Sequence, residues 1–210
     1  MTLTHRAVNL PGASMAEFTP YKIALLCGGP ERVAQCALLA LYERRRVRVS
    51  KATRRVTVVE HIADDAVQAA LLDEVPDSGF PLGRVLSAVA DSPEVASVAG
   101  ALAARGLVRR GVRGRIRLTL KGRAARRELR ATAGSSASTG LAALKRDAAS
   151  STVTAFAALG PTAVQDAKFR HALEGEDFKP VSLPHDWAKM AQRNSELERS
   201  HIPDGQYFHH

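Results

Sequence analysis

Apolar positions along this chain follow two rhythms, one helical and one alternating, and they change over in a regular order. Residues 21–27 form a short, almost wholly apolar run that reads as a helix, broken by Gly28-Gly29. Pro30 suits the first position of a new helix, where its missing N–H is no loss. That helix, over 31–45, places Val33, Ala34, Ala37, Leu38 and Leu41 on one stripe. Polar and apolar residues then alternate over 46–50 and again over 55–59, with 51–54 as a turn, so a β-hairpin with Val47, Val49, Val56 and Val58 inward is expected. The order then recurs. Asp64-Asp65 caps a helix over 66–73, 77–79 is a loop, and a second helix runs from 81 to 90 with Leu82, Val85, Leu86 and Val89 on one side. Ser92-Pro93-Glu94 starts a third helix reaching Arg105, and Gly106 stands where a helix-terminating glycine belongs. A second hairpin over 107–120 places Ile116, Leu118 and Leu120 inward, alternating with Arg115, Arg117 and Thr119. Thr119 caps a helix over 121–130.

Helix, helix and hairpin, twice over, is the order of a winged helix. The expected fold class is α+β, mostly helical: two winged-helix-like units, then a small helical segment and an extended tail. The boundaries read as a flexible arm over 1–15, a first unit over 16–62, a second over 63–130 and a small-residue linker over 131–140. A helical segment over 141–174 follows, with helices at 141–149, 153–159 and 163–173, the last using Val164, Phe169 and Leu173. Residues 175–210 are a polar tail broken by Pro180, Pro184 and Pro203.

Length and composition allow one domain or two small ones. The 210 residues are 45% hydrophobic and 24% charged, enough to bury a core and to exclude wholesale disorder. Aromatics are only 5%, so stacking of bases or sugars is not the main tool. No apolar leader and no apolar run of membrane-spanning length are found, which points to the cytoplasm. Cys27 and Cys36 have no further ligands nearby to form a zinc set and read as buried thiols.

Charge narrows the candidate chemistry. The net charge is +9, and the basic residues are clustered. Residues 105–130 hold eleven Lys/Arg against Glu128, and residues 43–60 hold seven against Glu43 and Glu60. Both clusters fall on the expected wings. The planar guanidinium fork binds two phosphate oxygens at once, so Arg46, Arg48, Arg54, Arg55, Arg109, Arg110, Arg113, Arg115 and Arg117 are the candidate phosphate contacts. The plainer alternative is a solvated basic face partly paired with the C-terminal stretch, where 161–210 carries 6 basic residues against 8 acids. Reading of DNA bases needs Arg, Lys, Asn or Gln on a recognition helix. Residues 93–105 offer only Glu94, Ser97 and Arg105 among small and apolar groups, which counts against it.

Other features carry less. Gly28-Gly29-Pro30 lacks the spacing of a phosphate loop and follows a helix rather than a strand. Seven histidines are scattered, and no order of nucleophile, base and orienting group is found, so no catalytic residue, metal site or cofactor is assigned. Asp186-Trp187 and Tyr207-Phe208 read as anchors for the tail.

Three segments together resemble an uncharacterised domain family of high-GC Gram-positive bacteria. They are residues 23–33, containing Gly28-Gly29-Pro30-Glu31-Arg32; residues 37–41 with Arg46-Val47; and residues 156–164, containing Gly160-Pro161, with Phe169-Arg170 and Ala172-Leu173. The resemblance spans about 18–173, and its Gly-Gly-Pro-Glu-Arg element is the most specific part. Members often continue into a membrane segment and a low-complexity tail, neither of which occurs in these residues, so no membrane span is implied. The family has no established activity and lends no site residue.

The expected function is a non-catalytic regulatory module that binds protein or peptide through the winged-helix-like units. A DNA-binding regulator holding phosphates on its arginine-rich wings is the alternative, and an enzyme or enzyme partner with an unrecognised site is a third. A second copy of the chain is a further candidate partner.

Overall fold

The computed structural model describes residues 18–111, 116–139 and 148–175, all of which belong to one compact unit. The fold is α+β and mostly helical. At its centre lie two helices, α1 (Pro20–Gly28) and α2 (Pro30–Glu43). The Thr19 hydroxyl accepts the Lys22 N–H at 3.4 Å and starts α1. Gly29, at φ +84°, ends it in a conformation that a side chain would strain. Five consecutive residues of α1, Ile23 to Cys27, are buried. A helix covered on every side must be packed on every side, and α1 touches α2 and three later helices, α5, α6 and α7, whose ranges follow.

The first hairpin is β1 (Val47–Val49) and β2 (Arg55–Val58), with Val47 opposite Val58 and Val49 opposite Val56. Val47 and Val56 are buried, while Val49 and Val58 are half-buried against the core. A two-residue strand, β3 (Phe80–Pro81), joins the free edge of β2 and makes a three-stranded sheet in the order β1-β2-β3. This corrects the expected helix start at Pro81. Proline is tolerated on an edge strand, and the helix begins one residue later as α4 (Leu82–Ala90), with the Leu82 N–H donating to the Arg54 carbonyl at 2.8 Å. Gly79 allows the approach: at φ +75°, a Cβ there would stand 2.7 Å from Thr57 Cγ2 and 2.8 Å from the Val56 carbonyl oxygen.

Between the two lies α3 (Ala66–Asp73), capped by Asp65, whose Oδ1 accepts the Gln68 N–H at 2.9 Å. After α4 comes α5 (Pro93–Ala104), capped by Ser92 and followed by Gly106 at φ +67°. The second hairpin is β4 (Val108–Arg110) and β5 (Ile116–Leu118). Val108 faces Leu118, Arg109 faces Arg117, and Arg110 pairs with Ile116. Ile116 and Leu118 are half-buried against the core as expected, but Leu120 is 82% exposed. The alternation stops because residue 120 is already the first residue of helix α6 (Leu120–Thr139).

That helix also corrects the expected linker, since it continues through Thr139. Residues 131–139 are mostly alanine, serine and threonine, whose helix propensities run from the best to middling. Leu129 and Ala133 are buried, and α6 packs on α1 and on α7 (Ala148–Leu159), so tertiary burial extends a helix into a stretch whose composition reads as a linker. The expected helix over 141–149 lies mostly outside the described residues. After α7, Gly160 at φ +88° and a 3-10 turn, Pro161–Ala163, lead to α8 (Ala167–Glu174). The last helix was expected from 163. It starts at 167 because Val164 is extended and Asp166 caps, accepting the Lys168 N–H at 2.8 Å. The tail from 176 onward, with Trp187, Tyr207 and Phe208, lies outside the described residues.

A single core cluster joins residues from Phe18 to Ala172, with Phe156 and Phe169 among the largest fully buried side chains. Among the described residues no single helix is long and apolar enough to cross a membrane.

Candidate anion-binding interface

The nine candidate arginines have different fates. On the first hairpin most are used internally. Arg46 Nη1 pairs with Asp64 Oδ1 at 2.8 Å, and Arg44 takes the other oxygen of the same carboxylate. Arg54 is buried at 9% exposure, and its Nε donates to the Ala172 carbonyl at 2.9 Å. Arg55 Nη2 donates to the carbonyls of Ser78 and Gly79 at 3.1 and 2.6 Å. Arg48, exposed on β1, makes no hydrogen bond or ion pair with a described residue. A guanidinium has five donors, and here they close a turn and tie α8 to the sheet.

The second hairpin is different. Arg109 and Arg117 stand directly opposite each other and both are exposed. Arg113 and Arg115 lie outside the described residues, and of Arg110 only the backbone pairing is described. Next to this pair, α6 presents Arg123, Arg126, Arg127 and Arg130, spaced three and four apart along one helical face. All four belong to the basic cluster over 105–130 but not to the nine candidates, and their helical spacing is the signal that could have added them. Arg109, Leu118, Thr119, Leu120 and Arg123 line a depression of about 360 Å³. Arg109, Arg117, Leu118, Arg123 and Arg126 line another of about 440 Å³.

Two local devices fix this face. The Thr119 hydroxyl donates to the Gly106 carbonyl at 2.8 Å and accepts the Gly122 N–H at 3.0 Å, so one side chain ties β5, α6 and the end of α5. Gly122 lies so close to the Leu107 carbonyl oxygen that a Cβ would overlap it. The arginines themselves oppose the fold. Like charges directly across a strand pair, or four apart on a helix, are each mildly destabilising. Arg109, Arg117 and Arg123 form no ion pair with any described residue. Arg130 Nη2 instead donates to the Cys27 carbonyl at 3.1 Å. The face is therefore a concentration of positive charge in which Arg109, Arg117 and Arg123 have no ionic partner among the described residues.

A second group lies between α1 and α3 and was not singled out from sequence. The Tyr21 hydroxyl donates to Asp65 Oδ2 at 2.7 Å, and Gln68 Nε2 donates to the same oxygen at 2.8 Å. Burial, with the Asp65 carboxylate beside it, pushes the Tyr21 phenol above its ordinary range. These groups border a cleft of about 330 Å³ with Thr19, Pro20, Ala40 and Val153. These hydrogen bonds tie Tyr21 of α1 to Asp65 and Gln68 at the start of α3. Burial likewise pushes the Cys27 and Cys36 thiols up, away from the thiolate that reactivity requires. Among the described residues no three His, Cys, Asp or Glu side chains come together as a metal site would require. Comparison of the chain with protein-family models, with curated proteins and with solved structures gives no match.

Proposed function

We propose that this chain is a non-catalytic interaction module that holds an anionic protein or peptide partner on the face of the second hairpin and α6. The observation that carries the reading is the set Arg109, Arg117 and Arg123, exposed and without an ion pair to any described residue. Base-specific DNA recognition is disfavoured by α5, whose exposed positions include Ser97, Gly100, Ala101, Ala103 and Ala104, none with a long polar side chain. The winged-helix-like reading of the two units is supported by the orders α1-α2-β1-β2 and α4-α5-β4-β5, linked here by β3. The cytoplasm is the proposed compartment, supported by two buried free thiols. Two of the stretches on which the resemblance to a domain family of high-GC Gram-positive bacteria rests meet through Arg32.

The test compares the full-length protein with an Arg109→Gln/Arg117→Gln/Arg123→Gln variant as baits after crosslinking. A protein partner held by the first, lost by the second and released by salt is the expected result. Equal capture by both overturns the reading. A second reading, binding of nucleic acid through phosphates, is favoured by the same arginines. It predicts nuclease-sensitive retention and a salt slope that falls by about one unit per phosphate contact removed.

A further inference from the structure

We propose that Leu120 anchors an acidic peptide segment that carries an apolar side chain between its carboxylates; this rests on the module reading and names its partner's chemistry. At 82% exposure, Leu120 is the most exposed large apolar side chain among the described residues. Its position is held from both sides, by the Thr119 hydroxyl on the Gly106 carbonyl at 2.8 Å and by the contact of Gly122 with the Leu107 carbonyl. It is thus a built feature of the surface and no frayed end. Leu118, half-buried, lies beside it in the depression that Arg109 and Arg123 also line, and Arg117 and Arg126 border the adjoining one. Leu120 thus shares one depression with two arginines, and Leu118 joins it to a second that Arg117 and Arg126 also line.

Each part of that arrangement selects a partner. A nucleic-acid backbone would satisfy the arginines and leave Leu120 against phosphate and water. A wholly apolar partner would desolvate the guanidiniums without a counter-charge, which is costly. A second copy of the chain, paired about a two-fold axis through this face, would set the same arginines against each other. A segment with Asp or Glu on both sides of a Leu, Ile or Phe satisfies all of it. Its carboxylates accept the paired N–H groups of the arginines, and its apolar side chain covers Leu120 at the centre, where interfaces concentrate their affinity.

The experiment titrates the full-length protein into labelled probes by fluorescence anisotropy. The probes are a helix-forming peptide with one Leu flanked by Glu, the same peptide with Ser for that Leu, a mixed-sequence DNA duplex, and vesicles of anionic phospholipid. The Leu peptide should bind about tenfold more tightly than the Ser peptide. Leu120→Ser should abolish that difference while leaving the urea midpoint unchanged, since the side chain is exposed. Arg109→Gln/Arg123→Gln should weaken both peptides and flatten their salt dependence. If Leu120→Ser leaves the Leu peptide's affinity unchanged while the arginine variant weakens it, the anchor is overturned and the module reading stands. If neither variant affects peptide binding, or no peptide binds, both fall. Tighter binding of the duplex or the vesicles than of the Leu peptide, unaffected by Leu120→Ser, overturns the anchor in favour of that partner.

Discussion

The guanidinium carbon of Arg32 lies 5.3 Å over the ring of Phe156, and Nη1 of the same side chain donates to the Phe156 carbonyl at 3.4 Å. The two residues are 124 apart in sequence. Arg32 runs over Gly28, where a Cβ would stand 2.6 Å from its own Cβ, and against Gly160, where a Cβ would overlap Nη1. The glycines at the end of α1 and at the end of α7 thus both make room for one side chain, which closes α7 onto the α1–α2 pair.

Gly160→Ala should therefore destabilise the protein, by about 1–3 kcal/mol, because φ is +88° and the Cβ meets Arg32. Combined with Arg32→Ala, the loss should be less than additive, since the overlap is gone while the backbone strain remains. Urea unfolding of the two single variants and the double variant measures this. Strict additivity would show that the contact carries no energy.

Arg54 and Arg48 should behave oppositely although both belong to one basic cluster. Arg54→Met removes the Nε donor from the Ala172 carbonyl at a buried site and should cost about 1–3 kcal/mol. Arg48→Gln, on the exposed side of β1, should change stability by no more than about 0.5 kcal/mol. Similar midpoint shifts for the two variants would contradict the placement of Arg54.

Gly122→Ala tests how tightly α6 is seated on the second hairpin. The added methyl meets a backbone carbonyl that cannot rotate away, so the helix must shift, at a cost of about 1–3 kcal/mol. Thr119→Val, which keeps the shape and loses the cap, should cost about 1 kcal/mol. Thermal unfolding reads both. An unaffected Gly122→Ala protein would mean that α6 stands further from Leu107.

Acid should loosen α8. The Tyr42 hydroxyl, donating to Asp166 Oδ2 at 2.8 Å, holds the Asp166 carboxyl below the usual range, and the N–H groups of Phe169 and Lys168 act in the same direction. A depressed folded pKa means stability that is fully present above the ordinary carboxylate value, about 3.9, and is lost as pH falls through the folded value. Tyr42→Phe keeps the ring, whose centroid lies 4.7 Å from that of Phe169 at a tilt of 34°, and removes the donor. The Asp166 titration followed by NMR should then move up toward 3.9, and the fall in stability below that pH should become shallower. An unmoved titration would show that the backbone N–H groups suffice.

What the chain determined by itself lies within a few residues of each signal. Asp65, Ser92 and Thr119 cap the helices that follow them, as the sequence reading expects, each accepting a backbone N–H three residues on; Thr19, which that reading does not name, does the same for α1. Gly29 and Gly106 end helices at positive φ, and the valine alternation sets the register of the first hairpin. These are local steric and hydrogen-bonding rules, and the residues that obey them are neighbours. The tertiary structure decided what no neighbour could. Phe80–Pro81 became a strand because β2 had a free edge, and α6 ran on to Thr139 because α1 and α7 offered a surface for Ala133. Leu120, apolar and in step with Ile116 and Leu118, turned to solvent once the helix began one residue earlier than the alternation allowed. The basic clusters looked alike as sequence. In one, Arg46, Arg54 and Arg55 are taken up by Asp64, Ala172, Ser78 and Gly79; in the other, Arg109, Arg117 and Arg123 form no ion pair with a described residue, because a guanidinium's partner is set by the carbonyls and carboxylates that folding brings to it from far along the chain.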